Sequence, residues 1–229
     1  MTNSAAAKPA GAQLRISNAR VWAYGGALVA IGLCTVLIAN TWQTDWIILR
    51  SAGALAGTKR LLDASNSTTP FVYPPGVAWF FVPAARLPVA VGFYLNSVLM
   101  LCACAGAAII ATRVYGLRLP LAMLLVFAWA PATQAGFLGQ FTPVALVLSL
   151  LAVLGLVKRN HVLAGASIGL LLYKPPDATA FVILLLARKE WRALAIVALV
   201  AGAWYVAGVL ATGSDWQWPT LYFQVIRHY

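Results

Sequence analysis

The sequence predicts an all-α fold, a polytopic transmembrane helix bundle of about seven spans, and three observations predict it. Hydrophobic residues fill 62% of the 229 positions and charged residues 9%, with a mean hydropathy of +0.84. A soluble domain carries roughly 25% charged residues, so this chain has too few to cover a water-facing surface. Long apolar runs alternate with short Lys/Arg clusters, while the ~10-residue alternation of a membrane β-barrel is absent. In lipid, runs of this kind satisfy their own backbone groups as helices.

The elements follow in chain order. Residues 1–20 are polar and carry Lys8, Arg15 and Arg20, which marks a cytoplasmic tail. Residues 21–39 form the first span, in to out, a retained anchor because the apolar run is longer than a signal peptide's. Residues 40–87 make the first extracytoplasmic loop. Within it, residues 46–62 mix apolar and basic positions as an amphipathic helix lying in the interface does. The segment 71–86 holds Pro74, Pro75 and Pro83 and is too short for a comfortable crossing, so it is expected to be interfacial or re-entrant. Spans follow at 89–112, 119–136, 141–157, 162–172, 178–187 and 193–211. Full crossing of 71–87 would invert everything after it and put Lys158-Arg159 and Arg188-Lys189-Arg192 outside, against the positive-inside trend. Without an internal repeat or low-complexity linker, residues 1–229 read as a single integral-membrane domain.

The formal charge of +11 invites a nucleic-acid reading. The basic residues, however, sit between apolar runs, where they set topology and meet anionic head groups, so no nucleic-acid partner is expected. Cys34, Cys102 and Cys104 lie inside apolar runs without metal-ligand spacing and act as small hydrophobes. Nine tryptophans, among them Trp42, Trp46, Trp79, Trp216 and Trp218, mostly fall near span boundaries, as an aromatic belt does.

With the basic clusters inside, Asp45, Tyr73-Pro74-Pro75, Gly139-Gln140 and Tyr173-Lys174-Pro175-Pro176 all land near the opposite face. Two readings fit Asp45. One is a helix cap for the segment beginning at Trp46; the other is a general base, since a carboxylate beside a low-dielectric wall gains basicity by desolvation. Tyr73 is the lip of a site or simply precedes prolines that open a helix. The Gln140 amide needs partners, either backbone or a sugar hydroxyl. Lys174, between apolar runs, either snorkels to the interface or holds a lipid phosphate, and Arg50, Lys59, Arg60 and Arg86 invite the same pair of readings. His161 and His228 receive no role. There is no HExxH, Walker loop, GxSxG or paired-acid motif, so no metal and no cofactor are expected.

Asp45 after the first span, Phe71-Val72-Tyr73-Pro74-Pro75 closed by Leu87-Pro88, Gly139-Gln140 opening a span, and Ala164-Gly165 to Lys174-Pro175 followed by Arg188-Lys189-Glu190-Trp191-Arg192 form an ordered set. This set is similar to the pattern of glycosyltransferase family 87 over residues 41–192. The resemblance implies a GT-C-like N-terminal module of seven spans with two interfacial helices in the first outer loop. It implies a multi-pass enzyme of the inner (plasma) membrane, serving the cell envelope. Such an enzyme moves a hexose, often mannose, from a polyprenyl-phosphate donor to a glycolipid or glycan acceptor on the extracytoplasmic face. Asp45 then corresponds to the catalytic acid, with Arg50, Tyr73, Gln140 and Lys174 as substrate-binding candidates. Family members continue with further spans, so a C-terminal half is expected to be lacking here. The rival readings are a non-catalytic protein that binds or transports lipid-linked sugars, and an inactive fragment of such a transferase.

Overall fold

The computed structural model describes residues 44–63, 71–129 and 138–228, with Gly25, Gly26 and Ala135 as isolated positions. The expected tail at 1–20 and most of the expected first span at 21–39 lie outside the described residues, as do Cys34 and Trp42. Every regular element among the described residues is helical. In order these are α1 (Thr44–Leu55), α2 (Arg60–Asp63), a 3-10 helix (Pro75–Phe81), α3 (Val82–Ala85), α4 (Val89–Tyr115) and α5 (Leu119–Ala128). They continue with α6 (Thr142–Val157), α7 (His161–Leu171), α8 (Pro175–Ala187), α9 (Trp191–Ala211) and α10 (Trp218–His228).

Helix starts follow local chemistry. Pro120, Pro143 and Pro175 open α5, α6 and α8, where a missing N–H costs nothing. Asn160 caps α7 by accepting the Leu163 amide at 2.9 Å. Gly116, at φ 66°, ends α4 in the left-handed conformation that glycine adopts without penalty.

Helices α4 (27 residues) and α9 (21 residues) are long and apolar enough to cross a bilayer. Among the described residues, helices α5, α6, α7 and α8 are apolar but shorter, at 10–16 residues. At 1.5 Å per residue, an 11-residue helix such as α7 reaches about half of the ~30 Å hydrocarbon core.

Helix α7 is central, with α6 on one side and α9 on the other; α4 packs on α6, and α5 on α4. Small residues permit this closeness. A Cβ on Gly165 would sit 2.6 Å from the Ala193 carbonyl oxygen, and one on Gly169 2.6 Å from Val200 Cβ. Lipid gives helices no hydrophobic reason to associate, so close van der Waals packing is what holds such neighbours. Trp204 adds a hydrogen bond from α9 to the Gly169 carbonyl (3.1 Å).

Successive helices run antiparallel and give the bundle two ends. Segment 71–88 begins and finishes at the same end. Its start is tied to Tyr222, which donates to the Val72 carbonyl, and its finish to α1, where Arg50 donates to Ala85 and Leu87. Four of the five acids, Asp45, Asp63, Asp177 and Asp215, belong to this loop end. The turns bearing Arg113 and Arg118, Lys158-Arg159, and Arg188-Lys189-Arg192 lie at the other, basic end.

Three expectations change in detail. The single helix over 46–62 is two, because Gly57 at φ 83° ends α1 and donates to the Ala211 carbonyl at 2.8 Å. Trp46 and Trp218 are core anchors, 2% and 8% exposed, rather than members of an aromatic belt; Trp79 and Trp216 do lie exposed. Beyond Asp215 the chain forms α10, which the sequence reading did not anticipate.

Candidate active site

The loop end is organised by Trp46. Buried residues Trp46, Leu49 and Ala52 recur every three positions, so one face of α1 packs inward while Ile47 stays exposed. The Trp46 indole donates to the Val89 carbonyl at the start of α4 (3.2 Å). Its ring fills the space over Gly92, where a Cβ would come within 2.7 Å of it. Its backbone and Cβ lie against Gly139, whose φ of 78° also calls for glycine. Asn96, buried on α4, donates to the Gly139 carbonyl at 3.4 Å. One residue thus joins α1, α4 and the start of α6, and Asp45 is its chain neighbour.

Asp45 is half-buried in the first turn of α1, which begins at Thr44 rather than Trp46. In that turn a carboxylate faces the positive end of the helix dipole. Across the end, the Tyr73 ring stacks on Tyr173 with centroids 6.2 Å apart and planes 18° apart. Tyr173 donates to the Phe141 carbonyl at 2.7 Å, fixing the α7–α8 turn to the start of α6. Burial, then the negative charges of Asp45 and Asp177, push the Tyr73 phenol up to about 12. Burial, Tyr73 and Asp177 push Tyr173 up as well. Asp45 and Asp177, far apart in sequence, therefore act on the same phenol.

Lys174 precedes α8 and pairs with Asp177 at 3.5 Å; both side chains are about one-third exposed. Gln140 is half-buried beside Gly139, its Oε1 accepting from the Thr142 hydroxyl at 3.4 Å. Arg50 is placed differently. Its guanidinium donates to the Ala85 and Leu87 carbonyls at 3.1 and 3.2 Å, bracing the end of segment 71–88, and its Nε is buried without a partner. Lys59, Arg60 and Arg86 are exposed.

The structure thus brings Asp45, Tyr73, Gln140 and Lys174 to one end and adds two residues that the sequence reading did not select, Tyr173 and Asp177. Tyr173 stood inside a quoted motif, and Asp177 is one of only five acids. Beside them is a cavity of about 270 Å³ with almost wholly apolar walls, lined by Val77, Phe81, Phe141, Leu148, Tyr173 and Trp204 among others. Among the described residues, no group of three or more His, Cys, Asp or Glu side chains stands close enough to hold a metal ion. The set offers a proton acceptor, a cation, aromatic walls and an apolar recess at one end of an apolar bundle.

Neither the curated proteins nor the solved structures give a match. A family model, that of glycosyltransferase family 87, matches residues 71–225. The matched region starts after α1, so it takes in Tyr73, Gln140 and Lys174 and leaves out Asp45, 26 residues before it. It covers more than half of the sequence, and on that ground the chain belongs to glycosyltransferase family 87.

Proposed function

We propose that this protein transfers a hexose, mannose in our reading, from a polyprenyl-phosphate donor to a hydroxyl of a glycolipid or glycan. The reaction takes place at the extracytoplasmic face of the plasma membrane and inverts the anomeric centre. The observation that carries the proposal is the Tyr73–Tyr173 stack at the loop end, with the Lys174–Asp177 pair adjoining Tyr173 and Asp45 in the first turn of α1 at the same end.

The donor brings its own leaving group, so a strong general acid is not required. Asp45 accepts the proton of the acceptor hydroxyl as that oxygen bonds to the anomeric carbon. The bond from that carbon to the phosphate oxygen breaks in the same displacement, and its electron pair departs with polyprenyl phosphate. Lys174 offsets the charge growing on the leaving phosphate, and Asp177 positions its ammonium. Tyr73 and Tyr173 form the wall against which the sugar lies, and Gln140 hydrogen-bonds a sugar hydroxyl. The apolar cavity beside Tyr173 suits the first isoprene units of the donor. Arg50 acts indirectly, by holding the loop. Orientation follows from the positive-inside trend: the end whose turns carry Arg113, Arg118, Lys158-Arg159 and Arg188-Lys189-Arg192 against the single acid Glu190 faces the cytoplasm, and the loop end, where four acids offset the bases, faces outward.

The test is sugar transfer in membranes from radiolabelled polyprenyl-phosphate-mannose, comparing the chain with Asp45→Asn. A general base contributes about 10²–10⁴-fold, so the variant should lose transfer by that factor while remaining folded and inserted. Unimpaired transfer by the variant would overturn the assignment of Asp45. Absence of transfer by both, with donor intact and protein inserted, would overturn the activity.

A further inference from the structure

At the basic end, opposite Asp45, the α6–α7 and α8–α9 turns border a half-open pocket of about 760 Å³. Its wall is apolar, from Val153, Leu156, Val157 and Leu184. Its rim carries Arg159, Arg188, His161 and Glu190. Glu190 ties the two turns together, its carboxylate lying 3.3 Å from His161 Nδ1 and 4.0 Å from Arg188 Nε.

The two turns share one backbone geometry. The Asn160 amide returns to the Gly155 carbonyl at 2.8 Å and the Glu190 amide to the Leu185 carbonyl at 3.0 Å. Just before each lies a left-handed residue, the position helix ends usually give to glycine. Here Arg159 (φ 53°) and Lys189 (φ 56°) occupy it. A side chain kept against the backbone's preference at both turns points to a use for the charge. Arg159 lines the pocket and Lys189 does not.

We propose that this pocket binds an anionic phospholipid. Arg159 and Arg188 outweigh the charge of Glu190, and Lys158, Lys189 and Arg192 on the same turns add to the positive field. Guanidinium groups match phosphate oxygens in geometry as well as charge. The apolar wall selects a lipid over a free anion: Val157 is 67% exposed and Leu184 40%, surfaces that an acyl chain covers. The site needs no part of the catalytic proposal.

The test titrates the full chain, in a neutral detergent at physiological ionic strength, with phosphatidylglycerol or phosphatidylcholine and counts bound lipid by native mass spectrometry. Phosphatidylglycerol should bind about tenfold more tightly. Arg159→Gly and Arg188→Gln should each remove most of that preference, and glycine at 159 fits the existing backbone, so misfolding does not mimic the result. Lys189→Gly removes the same charge from the same conformation outside the pocket and should cost less than about threefold. Equal losses in the Arg159 and Lys189 variants would overturn the site in favour of a diffuse field. So would equal binding of the two lipids, or displacement of phosphatidylglycerol by millimolar glycerol phosphate.

Discussion

Gly139 lies so close to Trp46 that a methyl group in place of its hydrogen would sit 2.7 Å from the Trp46 Cβ. The contact joins two of the segments that the sequence had separated by more than ninety residues. Because Asp45 precedes Trp46, the fit at this point sets where the carboxylate stands.

Gly139→Ala should therefore be costly twice over. A non-glycine residue in the left-handed region loses about 1–2 kcal/mol, and forcing a methyl into a packed site adds about 1–3 kcal/mol. Gly57→Ala is the comparison. It shares a positive φ, but its Cβ would meet only the far edge of the Trp79 ring at 3.4 Å. Denaturation in detergent should rank the Gly139 variant clearly below the Gly57 variant, and equal losses would remove the steric argument.

Lys174 and Asp177 are predicted to matter for substrate far more than for folding. A partly exposed pair contributes at most about 1 kcal/mol to stability. Lys174→Ala should leave thermal stability nearly unchanged while raising the KM for the lipid-phosphate donor proposed above by about tenfold or more. A large drop in melting temperature with an unchanged KM would mark the pair as structural.

The tyrosines give the loop end an alkaline limit. Burial raises the Tyr73 and Tyr222 phenols from 10.0 to about 12, so folding favours their neutral forms. Their stabilising contribution is complete below pH 10 and is lost as the pH climbs toward 12. At about 1.4 kcal/mol per pH unit, each phenol accounts for a loss on the order of 2–3 kcal/mol. Melting curves between pH 9 and 12 should show that fall, and Tyr222→Phe should flatten it.

Tyr173→Phe separates stacking from hydrogen bonding. The variant keeps the ring against Tyr73 and loses the 2.7 Å bond to the Phe141 carbonyl. That carbonyl also accepts the Val144 and Ala145 amides, so it is not left unpaired. The expected cost is about 1 kcal/mol or less, read by denaturant titration.

Much of the bundle was legible because a helix in lipid declares itself by run length and flanking charge. The residue boundaries at 89, 119, 157, 187 and 211 agree with the helices observed. Also legible was the gathering of Asp45, Tyr73, Gln140 and Lys174 at one end, which follows from alternating direction alone. Less visible was whatever depends on a distant partner. Arg50 looks like any interfacial arginine until two carbonyls from residues 85 and 87 are placed beside it. Trp46 and Trp218 resemble belt residues because hydropathy does not report which neighbour covers a ring. Helix α10 went unread because its apolar face gains meaning only against Leu62 and Val209.

Tyr222 reaches back across 150 positions to the Val72 carbonyl, and α10 rests on α2 and the end of α9. Contacts of such long sequence separation form late, because loop-closure entropy must be overcome first. The loop end is thus assembled in instalments during synthesis. Trp46 can dock on Val89 and Gly92 as soon as α4 emerges, Tyr73 gains its stacking partner once Tyr173 is made, and the Val72 carbonyl waits for residue 222. A ribosome-bound chain stalled before α10 should accordingly hold Asp45 and the Tyr73–Tyr173 stack in place but leave the Val72 carbonyl without its Tyr222 partner.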